Sequence, residues 1–225
     1  MSADTSNASP KSRLRSLAGR YVRWTYQSGH RDGLTAGLKP IVSAMSGVVL
    51  DVGGGRDSPL AGFWTDAARR IRLDISDAFG PHVQADGAAL PIRSDAVDAV
   101  LMSEVLEHVP QPQAVIDEVF RVLKPGGTLA GSVPFLAQGL HADPHDYYRY
   151  TDQALLRFMA AFEDVSVRPH GNGLGIAWRM IVSRFRILRP LNPLMRRLSR
   201  TPDRRVPEGY TFRATKPDPS AAAAS

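Results

Sequence analysis

The stretch from Gly47 to Leu60, Gly-Val-Val-Leu-Asp-Val-Gly-Gly-Gly-Arg-Asp-Ser-Pro-Leu, constrains the chain more than any other. A short β-branched apolar run, Val48-Val49-Leu50, ends in Asp51, and three glycines come just after it. Apolar strand, glycine turn and helix start are how open α/β folds build a ligand crevice at the carboxyl edge of a parallel sheet. Glycine suits such a turn because the chain bends sharply and a ligand lies directly on the backbone. Ser58-Pro59 reads as a helix start, serine as N-cap and proline at the first helical position, which predicts a helix over Pro59–Arg70. A tight strand-to-helix turn without a ligand has the same local pattern, so the meaning of the stretch rests on its context.

That context alternates strands and helices. Arg70–Ile75 reads as a second strand closing on Asp74, where a carboxylate can accept hydrogen bonds from both hydroxyls of a ribose or simply cap the next turn. His82–Asp86 and Ala96–Ser103 read as third and fourth strands, and Pro112–Leu123 as an amphipathic helix stopped by Lys124-Pro125-Gly126-Gly127. Thr128–Val133, Phe162–Val167 and Gly209–Ala214 complete the strands, with a helix over Asp152–Ala161. Ahead of them, residues 11–47 read as a helical cap. It comprises an amphipathic helix over Lys11–Gln27, a break at Gly29–Gly33, and a second piece over Leu34–Met45 interrupted at Pro40. Tyr21, Trp24, Tyr26 and His30 are its candidate lid residues, with core packing the favoured role for most of them. The main domain spans 48–216, and residues 1–10 and 217–225 are expected to be disordered.

Composition narrows the function classes. The chain has no cysteine, which excludes disulfides and thiolate metal sites. Its net charge of +6 is unevenly spread: seven Lys/Arg against two Asp/Glu up to Gly47, nine against seventeen from Val48 to Asp164, and twelve against two from Val165 to Lys216. An acidic centre between basic ends is not one uniform nucleic-acid surface, and nucleic acid is not expected as a partner. The basic end holds an insertion, residues 174–200. It consists of a helix over Leu174–Leu188 with Arg179, Arg184 and Arg186, a break at Pro190, and a short helix with Arg196, Arg197 and Arg200. Such helices fit an anionic membrane surface or an anionic substrate, or stay solvated. No apolar run is long enough to span a bilayer and the first residues have no signal-peptide pattern, so a cytoplasmic protein is expected, at most peripheral to a membrane.

Five motifs in order carry a family resemblance. Asp-Val-Gly-Gly-Gly at Asp51, Leu-Asp-Ile at Leu73, Ala-Asp-Gly-Ala-Ala-Leu-Pro at Ala85, Asp-Ala-Val-Leu-Met-Ser-Glu-Val-Leu-Glu-His-Val at Asp98 and Arg-Val-Leu-Lys-Pro-Gly-Gly-Thr-Leu at Arg121 together resemble a class I S-adenosylmethionine-dependent methyltransferase, type-11 branch. The resemblance covers Val48 to Val167. It implies a Rossmann-like seven-stranded α/β sheet, the last strand antiparallel, with helices on both faces and S-adenosyl-L-methionine as cofactor. By position it sets Gly53 and Gly55 beside the methionyl part, with Asp51 steadying the loop and the amino group. Asp74 takes the ribose hydroxyls, Ile75 lies against the adenine, Asp86 accepts from the adenine amino group and Gly87 lies alongside. Ser103 and Glu104 border the methionyl end. Asp57 stands where the family has its third glycine, a departure that also weakens the rival nicotinamide-dependent oxidoreductase. A non-catalytic module docking on membrane or RNA is the other alternative.

The loop from Phe135 to Thr151 crowds histidines, aspartates and tyrosines behind the fifth strand. If the methyl acceptor is a hydroxyl, a general base is needed, and His145, His141 and His108 are the candidates. His141, Asp143 and His145 have only weak metal-site spacing, and no metal is expected. An Asn-Pro-Pro-Tyr motif for amino acceptors is absent, which tilts the expected acceptor toward small molecules, sugars or lipid-linked groups.

Overall fold

A computed structural model describes residues 29–54, 58, 60–136 and 145–222. Its strands are β1 (Gly47–Val52), β2 (Ala68–Asp74), β3 (Val83–Gln84), β4 (Val97–Ser103), β5 (Leu123–Pro134), β6 (Glu163–His170) and β7 (Gly209–Thr215). Among the described residues they form one seven-stranded sheet in the order β3-β2-β1-β4-β5-β7-β6. β1 to β5 pair in parallel, and β7 runs antiparallel to both β5 and β6. This is the Rossmann-like sheet with an antiparallel seventh strand that the motifs implied.

β1 lies inside the sheet between β2 and β4, and its Val49, Leu50 and Val52 are buried. A parallel strand covered on both faces reads as a continuous apolar run, which is why Val48-Val49-Leu50 shows no alternation. On one face Leu50 and Val52 join α2 (Pro112–Val122) through Val115, Ile116, Val119 and Val122. Leu155 of α3 (Asp152–Phe158) belongs to the same cluster. On the other face Val49 and Leu101 meet Leu34, Leu38 and Val42 of α1 (Gly29–Ala44) and Met45 just after it.

α1 departs from the expected pattern: Gly29–Gly33 forms its first turns and the helix continues through Pro40. Pro40 lies on the exposed side, while Leu34, Leu38 and Val42 are at most 3% exposed. Burying three such side chains, about 1.5–3 kcal/mol each, outweighs a helix-interior proline costing about 3 kcal/mol. Lys11–Gln27 lies outside the described residues.

The helix expected over Pro59–Arg70 is absent. Ser58 Oγ does accept from Leu60 N at 3.2 Å, as an N-cap does, but only a 3-10 turn over Ala61–Phe63 follows. Parallel pairing with β1 in the register Gly47↔Ala68 to Val52↔Leu73 claims the following residues for β2. After β6 the chain forms α4 (Gly173–Arg184), a 3-10 segment (Arg186–Leu191) and α5 (Asn192–Leu198), so the expected single helix to Leu188 stops at Arg184. In the tail expected to lack structure, α6 (Pro219–Ala222) makes one turn, with Asp218 Oδ1 accepting from Ser220 N at 2.9 Å.

The chain leaves β1 toward β2 and β3, then returns to β4 on the other side. The connections diverge at the carboxyl ends of β1 and β4 and open a crevice there, the topological switch point at which open α/β sheets bind ligands. Packing between β4, β5 and β7 is close: a Cβ on Gly131 would collide with the Met102 carbonyl oxygen and the Phe212 ring, whereas Gly62 has nothing within 4 Å. Gly131→Ala is therefore expected to lower stability by about 1–3 kcal/mol and Gly62→Ala to leave it nearly unchanged, as urea denaturation will read.

Candidate active site

The turn after β1 begins at Gly53, whose φ of +69° lies in the left-handed region. A Cβ there would stand 2.5 Å from Val105 Cγ2, and the Gly53 N–H donates to Leu73 O at 2.8 Å. Only glycine meets both demands without strain. Gly54 is equally constrained: its Cβ would occupy the space of the Asp51 carboxylate, which sits beneath the turn. Gly55 lies outside the described residues.

Asp51 is buried, and burial pushes its carboxyl up from the ordinary range while the Arg70 and Arg72 guanidiniums pull it down. Arg70 Nε donates to Asp51 Oδ2 at 2.7 Å, and the guanidinium stacks over Trp64. At the end of β2, Asp74 Oδ1 accepts from Ser76 N at 2.9 Å, so one oxygen of the half-buried carboxylate closes the turn. Ile75 beside it is 68% exposed. Asp86 is exposed and closes a similar turn onto Ala88 N at 2.9 Å. Gly87 is half-buried, and a Cβ there would make ordinary contacts with Val115 and Val52.

Across the crevice, Glu104 takes a left-handed φ of +58°, uncommon for a side chain of its size. The contacts that hold it there are specific. Its N–H donates to Ser132 O at 3.0 Å, and its Oε1 accepts from Ser132 Oγ at 2.9 Å. Ser132 Oγ is also 3.0 Å from Ser103 Oγ. The other oxygen, Oε2, pairs with His30 Nε2 at 2.8 Å, and His30 Nδ1 pairs with His170 Nε2 at 2.9 Å.

This chain of hydrogen bonds has a direction. Burial, reinforced by His30 and Arg179, pulls the His170 imidazole down to about 3, so it is neutral at pH 7. Its Nδ1 is buried without a hydrogen-bond partner among the described residues, which leaves the proton on Nε2, where it is donated to His30 Nδ1. His30 must then carry its own proton on Nε2 and donate it to Glu104. Glu104 is thus an acceptor held by His30 and Ser132. His30 entered the sequence reading only as a candidate lid residue, and His170 did not enter at all. No local motif marks either, since 140 positions separate them.

The histidines predicted from the sequence sit elsewhere. His108 Nδ1 bonds the His145 carbonyl oxygen at 2.7 Å, and the exposed His145 ring tilts against Tyr147. His141 lies outside the described residues, as does Asp143. Among the described residues no group of three His, Asp or Glu could hold a metal ion. Tyr148 Oη donates to Pro110 O at 2.9 Å and Tyr150 Oη to Leu106 O at 2.8 Å, and Arg149 pairs with Asp146. These contacts tie the loop to the 3-10 turn over Leu106–His108.

Within that turn Glu107 is 3% exposed, and burial, with the nearby Glu104 charge, pushes its carboxyl up to about 9. Folded, it keeps a proton that the unfolded chain releases above the ordinary carboxylate range, so it lowers stability progressively as pH rises toward 9. His170 acts in the opposite sense. Between about 3 and 6.5 the unfolded chain holds a proton that the folded one refuses, so stability rises with pH there. Glu107→Gln, which mimics the protonated form, is expected to flatten the fall of Tm between pH 6.5 and 9 in scanning calorimetry; equal slopes would contradict the buried neutral acid.

Residues 50–131 match a family described as a methyltransferase domain. An uncharacterized methyltransferase of Mycobacterium leprae is 39% identical over 92 residues, covering 36% of this chain and 34% of the relative. One from Mycobacterium avium is 30% identical over 157 residues, covering 60% and 62%. The chain therefore spans from about a third to under two thirds of the length of these relatives. Among solved structures, phosphoethanolamine N-methyltransferase 2 of Haemonchus contortus in complex with S-adenosyl-L-methionine superposes with a TM-score of 0.56 at 15% identity, over 83% of this chain and 53% of that one. At that identity the likeness is one of fold.

Proposed function

We propose that this chain, which carries a type-11 methyltransferase domain over residues 50–131, moves a methyl group from S-adenosyl-L-methionine to a small-molecule, sugar or lipid-linked acceptor. The observation that carries this is the left-handed Gly53 turn beside the half-buried Asp74 carboxylate at the neighbouring carboxyl ends of β1 and β2. The residues present fit the cofactor. Gly53 and Gly54 leave bare backbone for its methionyl part, and Asp51 braces the turn from below. Asp74 keeps its second oxygen for the ribose hydroxyls while the first closes the turn. Exposed Ile75 offers an apolar surface to a purine face, with Asp86 toward the exocyclic amine and Gly87 alongside. Ser103 and Glu104 border the methionyl end. The Haemonchus contortus enzyme, of the same fold, was solved with this cofactor, which supports the choice.

S-adenosyl-L-methionine supplies a methyl carbon made electrophilic by its sulfonium. The chain's work is alignment, with acceptor and methyl held about 3–3.5 Å apart, and exclusion of water. For a hydroxyl acceptor, Glu104 takes the proton. His30 has both ring nitrogens engaged, Nε2 by Glu104 and Nδ1 by His170. Ser132 and His30 position the carboxylate. His108, His145 and His141 are the alternative bases, and His108 has one nitrogen already committed to the His145 carbonyl.

Calorimetric titration with S-adenosyl-L-methionine, S-adenosylhomocysteine and NADH is the direct test. The first two are expected to bind; binding of NADH alone would replace methyl transfer with an oxidoreductase. Asp74→Ala is expected to weaken cofactor binding about 10–100-fold, and Asp74→Asn, which keeps the turn's acceptor, less. Glu104→Gln is expected to lower kcat for a hydroxyl acceptor by about 10²-fold or more with a much smaller change in cofactor affinity. Equal losses in both would make Glu104 a binding residue.

A further inference from the structure

Nine of the fifteen large apolar side chains exposed among the described residues fall between Gly173 and Val206, within the insertion between β6 and β7. They include Leu174, Ile181, Phe185, Leu194, Leu198 and above all Ile187, which is 86% exposed. The same segment holds nine arginines and one acidic residue, Asp203.

Arg189 is half-buried, and the other eight arginines divide into two groups. Arg179 reaches inward to Glu208, which is fully buried, at 3.1 Å, and Arg196 pairs with Asp32 of α1. These two ion pairs, with Trp178 Nε1 donating to Asn192 Oδ1 at 2.8 Å, fasten α4 and α5 to the body and to each other. Arg184, Arg186, Arg197, Arg200, Arg204 and Arg205 are exposed, interleaved with the apolar side chains. On α4 the outward positions Leu174, Ala177, Ile181 and Arg184 recur at helical spacing, and on α5 Leu194, Arg197 and Leu198 do the same.

We infer that this insertion is a docking surface for a bilayer bearing anionic headgroups, its aliphatic side chains entering the interface and its exposed arginines meeting the phosphates. The mixture selects that occupant. Eight of the nine exposed apolar residues are aliphatic or methionine and only Phe185 is aromatic, whereas single-stranded nucleic acid is held by aromatic stacking. Interface cores between proteins are rich in aromatic anchors, of which this surface exposes one, Phe185. A second copy of the same face would bring six exposed arginines against six. An anionic bilayer accepts both components at once. The insertion leaves the sheet at His170 and returns at Gly209, both at the carboxyl edge, so the docked surface adjoins the crevice side. The inference stands apart from methyl transfer and needs no cofactor.

The test is flotation of the full chain with vesicles of phosphatidylcholine alone or with about one third phosphatidylglycerol, at low and high salt. Binding to the anionic vesicles is expected to exceed that to neutral ones at least tenfold and to fall with salt. Two exposed-site variants separate the components: Arg184→Glu with Arg186→Glu, and Ile187→Asp with Leu194→Asp. Each is expected to cut binding tenfold or more while circular dichroism stays unchanged. Absence of vesicle binding overturns the inference, whether the chain proves monomeric, self-associated or bound to single-stranded RNA. Binding unaffected by the Ile187 and Leu194 changes overturns it as well, since charge alone would then account for it.

Discussion

Burial of β1 on both faces is the constraint from which the rest follows. A central parallel strand must be reached by crossovers from either side, and here the chain goes first to β2 and β3 and then back to β4. At the carboxyl ends the two connections part, and a polypeptide buried elsewhere meets water. Polar groups that a closed core would penalise are tolerated at that edge. Gly53, Asp74, Ser103 and Glu104 gather there because their strands end there, although 51 positions separate Gly53 from Glu104.

The buried ionisable groups show three answers to one problem. Asp51 stays near Arg70, whose guanidinium offsets the lost hydration. At Glu107 the lost hydration outweighs the Arg149 charge and the His108 ring 3.7 Å away, and the carboxyl keeps its proton. His170 refuses one, and in doing so orders the His30–Glu104 contact. A charge removed from water is either paired or neutralised. Each outcome depends on neighbours contributed by other elements: Arg70 from β2, Glu104 from the end of β4, His30 from α1. The strained backbone at Glu104 belongs to the same pattern, since contacts from β5 and α1 hold the side chain where its own φ would not place it.

Much of the fold was legible in the residues. Apolar runs bounded by glycine and proline marked β1, β4 and β5, and the stripe Val115, Ile116, Val119 marked α2. The crevice positions Asp51, Gly53, Asp74 and Glu104 were legible as strand-end positions for the same reason, because each lies at or just beside the end of a strand. Errors fell where local preference and tertiary demand disagree. Ser58-Pro59 has good helix-start chemistry, yet pairing with β1 recruits Ala68–Arg70 into β2 and leaves room for one 3-10 turn. Pro40 is a good local breaker, yet the buried stripe of α1 carries the helix past it. Arg179 and Arg196 read like the other insertion arginines, and only the structure separates these inward anchors from the exposed set.

The sequence by itself determined the order of the strands along the chain, the α/β class and the glycine turn, because these are written in short-range pattern and spacing. Tertiary structure alone decided which polar groups meet. Glu104, Ser132, His30 and His170 come from four distant segments, and their contact depends on strand order and on the face of the sheet that α1 covers. Their protonation follows from that contact, since burial and neighbouring charge are properties of the folded neighbourhood and have no period along the chain.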